Sequence, residues 1–475
     1  MSFKHRWLRP TTALAVGVTA LSGCTLGPRY KTAPDVAHGA LQAPTYHRAT
    51  PETTATTAPA VADWWHTLHD PGLNQLIEDA LQSSPDVHAA EARLREARAG
   101  LRQQKAGLMP SGSASASYLR VGLPSTPLGI SSAGFYNLGF DATWEADLFG
   151  GQRRAIESAS ASALAVQADL ADTHVQLSAE IAQAYVTLRD LQQRQALVRD
   201  SVEVEQQMLN LTQERRGQGV ASDMDVERIR TQVESTRQQL IPLDEQITET
   251  LDELAQLTAR EPGALDAQLS TPQELPQLPA TVAIGNPASL LKQRPDIRAA
   301  EWRLVSQNAT IGQREADWFP KLTLLGDLGF SSTSSAEIFN SGNFMWIGAP
   351  LLQWNVLDFG RTKTRVDQAR AATDEARARY ESTVLAALRD ANDALARYGH
   401  QRQSVVSLRQ VEASATRTAE LTQQRYRAGA SSALEWLDAE RTRFSAQQNR
   451  VAAQAELIRD YVALHKSLGL GWQTP

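Results

Sequence analysis

The sequence repeats itself at an offset of 210 residues without a gap, and no other feature restricts its architecture as strongly. Pro85-Asp86 matches Pro295-Asp296, Ala89-Ala90-Glu91 matches Ala299-Ala300-Glu301, and Arg93-Leu94 matches Arg303-Leu304. Pro110 pairs with Pro320, Trp144 with Trp354, and Phe149-Gly150 with Phe359-Gly360. Leu211-Thr212-Gln213 returns as Leu421-Thr422-Gln423, while Arg215, Gly219 and Ser222 return as Arg425, Gly429 and Ser432. One structural unit is used twice, and any fold must accommodate both copies.

Each unit reads as helix, strand pair, long helix, turn and long helix. From Ile156 the first long helix carries an apolar or Ala residue every seven positions, through Ala163, Leu170, Leu177, Ala184, Leu191 and Val198. After the turn, Val226, Val233, Leu240, Ile247 and Leu254 keep that period, which implies left-handed coiled-coil packing. A helix from about Gln152 to Arg216 is roughly 100 Å long at 1.5 Å per residue. Pro242 falls inside the second helix, where it removes one backbone hydrogen bond and bends the rod.

The segments between the helices alternate with period two. In 135–148 the even positions Tyr136, Leu138, Phe140, Ala142, Trp144 and Leu148 are apolar, against Asn137, Asp141, Thr143, Glu145 and Asp147. Residues 321–332 set Leu322, Leu324, Leu328 and Phe330 against Lys321, Thr323, Asp327 and Ser331. Such strands have one greasy and one wet face, and about eleven tilted residues cross a bilayer. Residues 111–122 and 343–356 are the other two expected strands. The former is weakened by its Ser and Ala content, the latter by Met345, Ile347 and Leu351 on its polar face. Bare strand edges are not tolerated in lipid and the smallest barrels have about eight strands, so four per chain cannot close alone. Three chains supplying twelve strands enclose a wider lumen than two.

The N-terminus reads as an export signal over residues 1–23, with Lys4, Arg6 and Arg9 ahead of a short apolar stretch that cannot span a bilayer. It ends in Leu21-Ser22-Gly23-Cys24, which resembles a bacterial lipobox, and Cys24 is the only cysteine of the chain. Acylation of Cys24 is therefore expected, since a free thiol in an exported protein is a redox liability. Thr25, rather than Asp, follows the cysteine, a pattern that in bacterial lipoproteins implies sorting to the outer membrane. The formal net charge of −6 becomes more negative once the basic leader is removed, which argues against nucleic-acid partners.

The resulting organisation is a signal peptide (1–23), a lipidated tether (24–62) whose Thr-, Ala- and Pro-rich part reads as flexible, a first repeat (63–260), a Pro-punctuated crossover (261–287), a second repeat (288–470) and a tail (471–475). No nucleophile elbow, zinc-binding helix motif or phosphate loop is present, and no cofactor is implied. His66 and His69 lie three apart, but two ligands without a third are more often surface residues. A periplasmic coiled-coil adaptor or a structural lipoprotein would explain the heptads and Cys24, but leaves the paired amphipathic hairpins unexplained.

In order along the chain stand Asp63-Trp64-Trp65, Asp70-Pro71 with Leu73, the corner Asp147-Leu148-Phe149-Gly150, Arg294-Pro295-Asp296-Ile297-Arg298-Ala299-Ala300-Glu301, and the corner Leu357-Asp358-Phe359-Gly360. Arg425-Tyr426-Arg427-Ala428-Gly429 follows, then Leu434 and Leu437-Asp438-Ala439-Glu440-Arg441. With these motifs the mature chain resembles the TolC-like outer-membrane efflux family, in its lipoprotein branch of OprM/NodT-like channels from RND-type tripartite systems. The resemblance implies a homotrimer with a twelve-stranded β-barrel in the outer membrane and a periplasmic α-helical barrel. Its implied partners are a periplasmic adaptor protein, an inner-membrane RND-type pump and outer-membrane lipid. It also implies that the turns at Gly219 and Gly429 lie at the periplasmic end, with Arg216, Ser222, Arg427 and Ser432 as candidate adaptor contacts. Leu434 and Asp438 then match the inward-facing gate, four residues apart on one helix face. Tyr426 and Asp225 match positions that tie neighbouring helices at the closed end, and Glu435 occupies a further acidic position there. Arg216 stands in the first repeat where the second has Tyr426, so the closing contacts of the two halves differ.

Overall fold

The computed structural model describes residues 25–50, 54, 55, 57, 59, 62–122 and 132–472; Cys24 and residues 1–23, expected as a signal peptide, lie outside the described residues. The duplication is visible in the element bounds. Helix α1 (Pro71–Ser83) precedes α2 (Pro85–Ala106), strands β1 (Ser111–Gly122) and β2 (Ser132–Ala146), helix α3 (Gly151–Gly217), and helices α4 (Asp223–Gln238) and α5 (Leu240–Leu257). The second copy comprises α6 (Pro295–Ala316), β3 (Lys321–Ser332), β4 (Phe344–Gln353), α7 (Arg361–Arg427) and α8 (Ala433–Ser467). Helices α2 and α6, strands β1 and β3, and the 67-residue helices α3 and α7 coincide residue for residue at the 210 offset.

The chain forms two compact units, and α3 and α7 each run from one into the other. Of the described residues, the first unit holds 25–34, 93–122, 132–167 and 299–381. Its sheet has the order β1-β2-β3-β4 with every pair antiparallel. Even-numbered residues always pair with even-numbered ones, so parity assigns the face. Ala114, Phe140, Leu328 and Trp346 make one transverse row, and the last three are more than half exposed. On the odd face Ser331 donates to Asn137 at 2.7 Å, which reaches Ser117 on the next strand. Ile347 and Leu351 interrupt this polar face on β4, and the strand still pairs along its length because the backbone ladder does not depend on which side chain it carries. Among the described residues the outer edges of β1 and β4 have no strand partner.

Residues 25–30, expected as the start of a tether, are instead strapped to this unit. Arg154, only 3% exposed, donates to the carbonyls of Leu26 (2.8 Å) and Gly27 (3.0 Å), and Asn308 donates to Pro28 O. Gly27, at φ 87°, lies so close to Gly312 that a Cβ would meet the Gly312 Cα at 2.3 Å. Only glycine permits that crossing.

The second unit holds 35–92, 168–298 and 382 onward. Here the expected flexible stretch is likewise laced down: Tyr46 donates to Asn286 O, Arg48 N to Asn392, and Thr54–Ala55 pairs in parallel with Val282–Ala283. The Asp63-Trp64-Trp65 motif is a core plug. Trp64 stacks on buried His465 at 5.1 Å and meets Tyr461 edge-on, while Thr67 shares a 2.6 Å hydrogen bond with the Tyr461 hydroxyl. Asp70 caps α1 through Leu73 N and accepts from Tyr185. His66 pairs with Glu78, and His69 closes its short helix at φ 54°. Arg294 forks onto Asp296 (3.0 and 2.7 Å) and donates to Ser467 O, tying the start of the second repeat to the end of the chain. The heptad seam is buried at Leu177, Ala184, Leu191 and Val198, the last two packing on Leu243.

Pro242 cannot donate to the carbonyl four residues back, and the helix breaks at Gln239, whose N–H turns to Thr236 O. The corresponding residue of the second repeat is Ala452, and α8 runs unbroken.

Candidate functional site at the two helical turns

Both turns lie in the second unit and share one backbone design. At the end of α3, Val220 N–H bonds Arg215 O and Gly219 N–H bonds Arg216 O; at the end of α7, Ala430 bonds Arg425 O and Gly429 bonds Tyr426 O. This is the paired closure of a Schellman cap, and it requires a left-handed residue at Gly219 (φ 75°) and Gly429 (φ 77°). Open space surrounds a Cβ at either position, so backbone conformation alone calls for glycine. Ser222 and Ser432 then cap the outgoing helices, accepting from Asp225 N and Glu435 N.

The side chains diverge from there. At the first turn Asp225 returns the bond, accepting from Ser222 N–H and Oγ to complete a capping box, and these bonds hold its carboxyl below the usual carboxylate range. Arg216 is ion-paired with Asp223 across the turn. At the second turn Tyr426 is 2% exposed, packed on Trp436 with ring centroids 5.3 Å apart. Arg215 from the first turn lies over the Tyr426 ring at 4.0 Å and donates to Tyr426 O at 3.0 Å. Met208, Val226, Ile229, Val233 and Leu437 complete the cluster that joins the two turns.

Of the expected gate residues, the structure therefore gathers Tyr426 into this cluster and engages Asp225 in its own cap. Leu434 is half-buried, while Glu435 and Asp438 are exposed. Among the expected docking residues Arg216, Gly219, Ser222, Arg427, Gly429 and Ser432 are all exposed. Sequence reasoning passed over Arg215 and Trp436. Their signal was an aromatic ten residues beyond Tyr426 and an arginine retained at both turns.

The description "Outer membrane efflux protein" matches the chain twice, over 76–260 and 286–470. The chain is similar to the probable efflux pump outer membrane protein TtgC of Pseudomonas putida, 34% identical over 97% of this chain and 95% of that protein. It is 30% identical to the outer membrane protein OprJ of Pseudomonas aeruginosa, covering 86% of each. Among solved structures it superposes on the outer-membrane channel OprN with a TM-score of 0.89 at 34% identity, covering 95% of this chain and 100% of that one. With the duplicated architecture and these likenesses along nearly its whole length, the chain belongs to the outer membrane efflux protein family.

Proposed function

We propose that three copies of this chain form a lipid-anchored outer-membrane duct, a passive exit for small molecules delivered by an inner-membrane pump through a periplasmic adaptor, with no catalytic step of its own. The observation that carries this reading is the four-stranded sheet, with its exposed apolar face, its more polar opposite face and, among the described residues, two edges without a strand partner. Three such sheets side by side satisfy every edge and enclose a polar lumen. Cys24 carries the acyl anchor, and the exposed turn residues Arg216, Gly219, Ser222, Arg427, Gly429 and Ser432 dock the adaptor. Leu434 and Asp438 form successive apolar and acidic rings at the constriction. Tyr426 and Asp225 act behind that ring by holding the turns in place, and Glu435 adds charge at its entrance. Opening requires adaptor and pump to favour a state in which the turns part, because the tube has no energy source.

Purified protein in planar bilayers tests this reading: discrete conductance from a species of three chains is expected. A stable monomer without conductance would overturn it. Mass analysis of the mature N-terminus checks acylated Cys24 separately.

A further inference from the structure

The duplication reaches individual side chains at the strand-to-helix corners of the first unit. Trp144 Nε1 donates to Leu108 O at 2.9 Å, and its counterpart Trp354 donates to Trp318 O at 3.0 Å. Between the repeats, Phe149 at the first corner stacks on Phe319 at the foot of β3, with centroids 4.6 Å apart. Adding 210 to one partner and subtracting it from the other gives Phe359 and Met109. Within the chain these stand uncovered, at 93% and 69% exposure.

The second corner also departs from the first. Its aspartate has moved one place, from the equivalent of Asp147 to Asp358, which caps the N–H groups of Gly360 (2.9 Å) and Thr362 (2.7 Å). Asp147 instead caps Gln152 and Arg153. The tightened turn puts Phe359 at φ 53°, a left-handed conformation that bulky side chains avoid. The N-terminal strap cannot shield this corner by the contacts it makes at the first. Arg154 is replaced by Thr364, and Gly312 by Arg102, whose side chain would fill the crossing point of Gly27.

We propose that Phe359 seats on Met109 of the partner subunit, forming the between-chain counterpart of the Phe149–Phe319 stack. The proposal rests on the trimeric reading above and names the occupant of this apolar corner as a second copy of the chain. The strand register accompanies it. Phe140 faces Leu328 within the chain, so Pro350 of β4 faces Tyr118 of the partner subunit, and even positions again meet even ones. The apolar face then continues unbroken around the ring.

Paired cysteines read the contact directly, because Cys24 is the only native cysteine and the parent chain controls for it. F359C/M109C treated with a short bismaleimide and then heat-denatured is expected to run as covalent dimers and trimers. F149C/F319C should cross-link within a chain and remain monomeric. Unheated samples of both variants, and of F359C and M109C alone, report assembly. Trimers that assemble with F359C/M109C yet give no between-chain product would overturn the proposal. A lipid-soluble maleimide reacting freely with F359C in those trimers would assign the corner to lipid instead. A parent protein that never forms trimers would remove the trimeric reading itself, and the contact with it.

Discussion

The turn at Gly219 and the turn at Gly429 have the same hydrogen-bonded backbone and opposite ways of holding it. At the first, the Ser222–Asp225 box and the Arg216–Asp223 pair satisfy the polar groups locally, on the surface. The second has only half a box and buries Tyr426 against Trp436 under Arg215. Arginines at equivalent positions show the contrast: Arg215 reaches the other turn, whereas Arg425 bonds Ala430 O in its own. The second turn therefore leans on the first. If the proposed gate stands there, loosening that support should open it without breaking a surface ion pair.

Removing the support should have the largest effect. Tyr426→Ala deletes a buried ring and the face beneath Arg215, costing about 3 kcal/mol by comparison with other aromatic-to-alanine core substitutions. Arg216→Ala, by contrast, loses one exposed ion pair, a change of under about 1 kcal/mol. Thermal unfolding of the assembled protein measures both, and bilayer conductance should rise for Tyr426→Ala alone. Equal effects would erase the distinction between the turns.

Glycine substitutions come next and should be equal. Alanine at Gly219 or Gly429 meets no neighbour, so each pays only the left-handed penalty of about 1–2 kcal/mol. A markedly larger loss at Gly429 would mean that its surroundings in the assembly are tighter than in the chain.

The caps separate the turns by pH. Ser222→Ala loses a box and Ser432→Ala a single bond, each about 1 kcal/mol or less. Asp225 sits below its ordinary range in the folded state, so its contribution is complete above the unfolded value and lost as acid drives pH down through the folded one. Asp225→Asn should therefore weaken the protein at neutral pH and make no difference in strong acid. Differences in unfolding midpoint between the two proteins, followed from neutral pH into acid, check this.

What could be read in advance followed from periodicity. The 210-residue offset places helix against helix, and the two-residue alternation of 321–332 marks a strand because both signals are summed over many residues. Contacts decided by one atom were not legible. The Gly27–Gly312 crossing depends on two absent Cβ atoms far apart in sequence, and it turns an expected tether into a strap. Tyr426 and Asp225 were expected to link neighbouring helices. Within the chain the buried ring lies under Arg215 of the other turn and the carboxylate serves its own cap, partners that the motifs do not name. A shift of one residue in an aspartate, from Asp147 to Asp358, changes the turn and exposes Phe359, which a motif containing both does not disclose.

The smallest effect on stability is expected at Asp438, and it carries the most information about the duct. At the 210 offset Leu434 corresponds to Met224 and Asp438 to Arg228, so the apolar level is kept between repeats and the charge is reversed; both charged residues are exposed. If only the second turns reach the axis, the constriction holds three carboxylates and favours cations. Asp438→Ala then weakens cation preference and block by multivalent cations, Arg228→Ala changes neither, and Leu434→Ala with Asp438→Ala widens the passage and raises basal conductance. If all six turns stood at one radius, three arginines would alternate with three aspartates. Asp438→Ala would leave a positive ring and turn the preference to anions, and Arg228→Ala would strengthen the preference for cations. Reversal potentials in a salt gradient, measured on both single variants, decide between these geometries.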